Sequence, residues 1–116
     1  MAISQALAVL TQLDPTGANR LIERIMATYL GSLERLVAQL VQARAADDMA
    51  AVKMAAHTLK SSSASIGALA LSGLCASTEQ VVRENQLDQL PDVLDRLLAE
   101  TVRVDAAVRL MLAPRA

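Results

Sequence analysis

The sequence predicts an all-α protein: an antiparallel four-helix bundle with a short extra helix at its N-terminus. Three observations carry this. Apolar residues recur at three- and four-residue spacing through almost the whole chain, and no segment alternates strictly as a half-buried strand would. The 53% hydrophobic content comes largely from Ala, Leu and Val, with only four glycines and three prolines, a mixture that favours helix over strand. Turn-forming residues punctuate the pattern at intervals that leave segments of bundle length between them.

A short first helix is expected around Ile3 to Leu13, burying Ile3, Leu7 and Leu10. Asp14-Pro15-Thr16-Gly17 then forms a turn, because proline presets one backbone angle and glycine tolerates the other sign. The second helix runs to about Arg44 with Ile22, Ile25, Tyr29, Leu33, Leu36 and Leu40 on one face and Arg20, Arg24, Glu34 and Arg35 mostly off it. At about 1.5 Å per residue it is a rod near 40 Å long. Asp47 and Asp48 are placed to cap and charge-complement the third helix, whose inward stripe is Met49, Val52, Ala56, Leu59, Ser63 and Ile66. Gly67 breaks the pattern, and a fourth helix carries Leu71, Leu74, Cys75, Thr78, Val81 and Val82 before ending near Asn85. A loop over Asn85 to Asp88 leads to a last helix with Pro91 in its first turn, where a missing N–H is harmless. Leu94, Leu97, Val104, Val108 and Met111 continue its apolar face.

Length and charge narrow the function classes. At 116 residues the chain is read as one domain over residues 1–116 that buries enough surface to fold without staples. The one cysteine, Cys75, excludes an internal disulfide and fits a reducing compartment, so a cytoplasmic location is expected. With 11 basic against 12 acidic residues, a single tyrosine and no Phe or Trp, there is neither excess positive charge nor a stacking surface for nucleic acid. Residues 1–13 lack the basic start of a signal peptide and are read as mature structure. Ser61 to Thr78 is free of charge but interrupted by serines and glycines, too polar for a convincing membrane span.

One site stands out. His57 is the only histidine, and a lone histidine is more often an ordinary surface or core residue than a functional one. At about 100° per residue, however, it falls roughly 140° from the apolar stripe of its helix and should face solvent. Ala50, Lys53, Lys60, Ser61 and Ala64 share that face, all small or cationic, so nothing bulky blocks a partner. The chain's only two lysines, Lys53 and Lys60, lie four residues before and three after His57. A cation there favours a phosphoryl group carried on the ring.

The run Ala56-His57-Thr58-Leu59-Lys60-Ser61, followed after four residues by Ile66-Gly67-Ala68, resembles the signature of histidine-containing phosphotransfer (HPt) domains: Ala-His-x-Leu-Lys-Gly, four variable residues, then aliphatic-Gly-Ala. Ser61 departs from the usual glycine but is nearly as small. The resemblance implies a four-helix bundle with the histidine on its second bundle helix. It implies His57 as the phosphorylated residue and Lys60 as the signature's cation. It also implies Glu79 as the side chain that accepts the Nδ1–H of the histidine, leaving Nε2 outward as nucleophile.

On that resemblance the chain is a phosphorelay carrier rather than an enzyme. It takes a phosphoryl group from a receiver-domain aspartyl phosphate, including the receiver of a hybrid sensor histidine kinase, and passes it to another receiver aspartate. No cofactor is expected on this chain, with Mg²⁺ belonging to the receiver. Neither ATP binding nor self-phosphorylation is expected, because no Gly-rich phosphate loop is present. Docking is expected over Ala50, Lys53, Met54, Ser61, Ala64 and Ser65, in a transient complex of a monomer. Free-standing protein and excised piece of a membrane-bound parent are both compatible with the sequence.

Three alternatives stand beside this reading. A helical adaptor that binds a signalling partner without chemistry is the first. A histidine-kinase dimerisation domain usually carries an acidic residue directly after the histidine and a proline soon after, whereas Thr58 follows here and no proline lies between Pro15 and Pro91. A zinc site is weakest, with one histidine and one cysteine.

Overall fold

The computed structural model describes residues 18–113, with side chains from Leu21 onward. The expected helix over Ile3 to Leu13 and the Asp14–Gly17 turn lie outside the described residues. Within them the all-α expectation holds: four helices, α1 (Ala18–Ala45), α2 (Met49–Ser65), α3 (Leu69–Arg83) and α4 (Leu90–Leu112), and a single 3₁₀ turn (Leu87–Gln89) before α4. Each helix packs on its sequence neighbours, and α4 returns to α1. Arg44 pairs with Asp95 at 2.8 Å and Glu34 with Arg109 at 2.6 Å. As the α1 partner number falls the α4 number rises, so these two helices run antiparallel.

The three helix ends that reverse the chain share one solution. A residue with left-handed backbone sits just past each end, Asp47 (φ 56°), Gly67 (φ 81°) and Asn85 (φ 56°). Its own amide group and the next one then close on the last turn. Gly67 N–H donates to Ala64 C=O at 3.1 Å and Ala68 N–H to Ser63 C=O at 2.8 Å, and the same pair recurs at Asp47–Asp48 and at Asn85–Gln86. Orphan carbonyls are thereby satisfied without lengthening the loop. Asp47 was expected to cap α2 and instead terminates α1, a role its short polar side chain permits because it tolerates left-handed backbone. Asp48 alone caps α2, accepting from Ala51 N–H at 3.1 Å.

The core follows the expected stripes with shifts of one position. Met26, Tyr29, Leu33, Leu36 and Leu40 of α1 are buried together with Val52, Ala55, Ala56 and Leu59 of α2, Leu71 and Cys75 of α3, and Leu94, Leu97, Val104 and Val108 of α4. Ile22, Ile25, Met49, Leu74, Val82 and Met111 were expected on the inward faces and are half-buried at the edge, whereas Leu90 and Thr101 join the interior. The serine-rich run is helical, and its hydroxyls bond back along the helix: Ser62 donates to Leu59 C=O at 3.2 Å and Ser65 to Ser61 C=O at 3.0 Å. Ser63, fully buried, meets the Tyr29 hydroxyl at 2.9 Å. This is a polar link between α1 and α2 inside an apolar core. Tyr29→Phe is expected to lower unfolding free energy by about 1 kcal/mol, because it deprives a buried serine of its partner. Urea unfolding followed by circular dichroism measures the change.

Candidate functional site

α2 and α3 bring the site together. On α2 the inward stripe through Val52, Ala56, Leu59 and Ser63 leaves His57 on the outer side, with its side chain 66% exposed. Ala50, Lys53, Met54, Ser61, Ala64 and Ser65 are all exposed beside it, and Met54 is 72% exposed.

Glu79 enters from α3. Thr78 and Cys75 anchor that helix to the core, and Glu79 next to them is carried into the α2–α3 seam with only 8% of its side chain exposed. Its Oε2 lies 3.3 Å from His57 Nδ1, at the long end of the N–H···O range. Its Oε1 lies 3.0 Å from the Lys60 ammonium. That contact is a charge attraction rather than a directed hydrogen bond, and Oε1 has no hydrogen-bond partner among the described residues.

Burial on its own would raise the Glu79 carboxyl, but Lys60 and then His57 outweigh it and hold the group below its ordinary value. Glu79 is thus an anion at neutral pH, and a carboxylate has no proton to give. In the neutral imidazole the shared hydrogen therefore sits on Nδ1, so Nδ1 donates and the lone pair is on Nε2. A buried carboxylate and an exposed imidazole thus share one contact across the seam.

Lys60 is placed differently from the sequence expectation. Its side chain is only 34% exposed and its ammonium is turned to Glu79, rather than standing open beside the imidazole. Lys53, one turn earlier, remains exposed. Cys75 lies beneath the pair, fully buried. Burial first, and then the Glu79 charge, push its thiol up to about 12, so it stays protonated and unreactive at neutral pH. No group of three or more metal-ligating side chains occurs among the described residues. Nor is any helix there long and apolar enough to cross a membrane.

The model of the Hpt domain family matches residues 24–109. This chain belongs to the Hpt domain family. Hpt domains carry phosphoryl groups on histidine in phosphorelays, interact with receiver domains and are not themselves kinases. The adaptor without chemistry and the kinase dimerisation domain give way to this assignment. Among solved structures, the chain is similar to the crystal structure of histidine-containing phosphotransfer protein B (HptB) from Pseudomonas aeruginosa PAO1. The TM-score is 0.80 at 23% sequence identity, covering 93% of this chain and 90% of that chain. At that identity the likeness is one of fold. No curated relative matches the chain. The Hpt match includes α2 and α3 entire, and so contains His57, Lys60 and Glu79.

The supporting contact that sequence reasoning missed is Ser72, whose hydroxyl donates to the Lys60 carbonyl at 3.1 Å. Its signal was available: Ser72 precedes Glu79 by seven residues, two helical turns, and therefore shares its face.

Proposed function

We propose that this Hpt domain, a single domain spanning the chain, accepts a phosphoryl group on His57 Nε2 from a receiver aspartyl phosphate and returns it to another receiver aspartate. The observation that carries the reading is the Glu79 Oε2 contact to Nδ1, which leaves Nε2 as the free nucleophilic nitrogen on an exposed face. In the forward step the Nε2 lone pair forms the N–P bond as the P–O bond to the aspartate breaks. The leaving electron pair returns to the receiver carboxylate, and the reverse step passes the group on. Such in-line transfer requires alignment and charge neutralisation more than covalent assistance from the protein.

Glu79 supplies the orientation. Lys60 supplies the counter-charge that keeps the carboxylate ionised, and its long chain can turn outward to meet phosphoryl oxygens once they arrive. Mg²⁺ is assigned to the receiver partner, and no autokinase activity is assigned to this chain. Docking uses Ala50, Lys53, Met54, Ser61, Ala64 and Ser65, with the protein as a monomer in the cytoplasm.

The test is incubation with a phosphorylated receiver domain. Acid-labile, base-stable label on the native chain supports the reading. Absence of label with several receivers overturns the assignment of His57 as the acceptor. The surface has its own test: Ser61→Trp and Ala64→Trp place bulk beside the imidazole without touching the core. Transfer is expected to slow by about tenfold or more, since misplacing the donor phosphorus by 1 Å is enough. Stability should stay within about 0.5 kcal/mol. Stopped-time phosphotransfer assays and thermal melts separate the two effects, and unchanged rates in both variants remove this surface from the reading.

A further inference from the structure

We propose that Ser72 is a positioning residue for phosphotransfer, setting the register of α3 against α2 so that Glu79 reaches His57; this rests on the reading of His57 as phosphoacceptor. Serine and threonine hydroxyls inside a helix ordinarily bond back to a carbonyl of their own helix. On α3, Ser77 does so to Gly73 at 3.1 Å and Thr78 to Leu74 at 2.8 Å. Ser72 does not. Its hydroxyl crosses the seam to the Lys60 carbonyl on α2 at 3.1 Å.

The geometry of that crossing closes a bracket. Seven residues separate Ser72 from Glu79, so at about 100° and 1.5 Å per residue both face α2, roughly 10.5 Å apart along the helix. Both grip Lys60: Ser72 holds its backbone carbonyl and Glu79 its ammonium. The lysine tip swings on a flexible stem, whereas the carbonyl belongs to the helix, so the Ser72 bond is the rigid side of the bracket. The rest of the seam is largely apolar, with Leu59, Leu71 and Cys75 buried in the core, and apolar contact is non-directional. The Gly67 turn fixes where α3 starts, and Ser72, in its first turn, fixes how it is rotated.

The site has little slack. The Glu79–His57 contact is already 3.3 Å, and at about 3.6 Å such a contact no longer counts as a hydrogen bond. A slide or rotation of α3 by a few tenths of an ångström is therefore enough to release Nδ1.

The experiment follows the imidazole directly. In ¹⁵N-labelled protein, long-range proton–nitrogen spectra of His57 report the tautomer, and transfer from a phosphorylated receiver reports the rate. Ser72→Ala is expected to reduce the Nδ1–H population and slow transfer about threefold to tenfold, the span of one net hydrogen bond. Ser72→Thr, which keeps the donor, is expected to restore both. Ser72→Cys, similar in volume but a weak donor, takes the place of the alanine variant if that variant fails to fold. An unchanged tautomer in Ser72→Ala overturns the proposal, as does a loss that Ser72→Thr leaves uncorrected. If native protein accepts no phosphoryl group, the reading of His57 fails on its own. The tautomer spectra need no partner and still decide whether Ser72 positions the ring.

Discussion

His57→Gln is expected to abolish phosphoryl acceptance while leaving the fold intact. The two halves have separate causes. Acceptance needs a nitrogen lone pair that bonds to phosphorus, and an amide nitrogen, its lone pair delocalised into the carbonyl, offers none; no other histidine is present to substitute. The fold is indifferent because the His57 side chain is 66% exposed and its one polar partner is Glu79, to which a glutamine amide can also donate. A stability change within about 0.5 kcal/mol is expected, read as a thermal melt, alongside complete loss of base-stable label after exposure to a phosphorylated receiver. Persistent label on the variant would place the acceptor elsewhere in the chain.

Periodicity was the part of this molecule most open to sequence reading. The stripes that bury Leu33, Leu36 and Leu40 or Val52, Ala56 and Leu59 repeat every three or four residues, and a helix has only one way to bury such a stripe. The same arithmetic put His57 outside, where the structure has it. What was misread depends on choices local spacing does not encode. Asp47 and Asp48 have the same side chain, and only the closing hydrogen bonds of the turn decide that the first ends α1 and the second caps α2. Lys60 stands three residues from His57 on the helix surface, so spacing suggested an open cation. Its direction is set by a carboxylate twenty-two residues beyond the histidine, on another helix. Tyr29 and Ser63 each read as stripe members, and their hydrogen bond is visible only once α1 and α2 are packed. The Tyr29–Ser63 and Lys60–Glu79 pairings escaped because nothing in the local pattern announces them.

Glu79→Ala is expected to slow phosphotransfer by about 10²-fold while His57 remains exposed and chemically intact. Without the carboxylate, Nδ1–H has no acceptor, so the imidazole samples the tautomer in which Nε2 carries the hydrogen and cannot attack. Its ring also loses the contact that aims it, and angular misplacement of a reacting atom is penalised on this scale. Lys60 is released at the same time, since Glu79 is its ion-pair partner. Glu79→Gln separates these contributions. Its amide oxygen still accepts from Nδ1, preserving orientation, but the charge that holds Lys60 is gone, so a smaller loss than in Glu79→Ala is expected.

The pH dependence of stability gives an independent check with a definite sign. Because the folded Glu79 carboxyl lies below its ordinary value, its contribution is fully present above the unfolded carboxylate value of about 4.3. That contribution is lost as pH falls through the folded value. Urea midpoints of native protein and Glu79→Gln should therefore converge as the solution is acidified below about pH 4, because protonation removes from the native protein the same charge the variant lacks. A gap that stays constant through that range would mean that folding does not lower the Glu79 carboxyl, and a gap that shifts in the native protein's favour on acidification would mean that Glu79 is neutral in the fold. In that case the proton on Nδ1 would need another explanation.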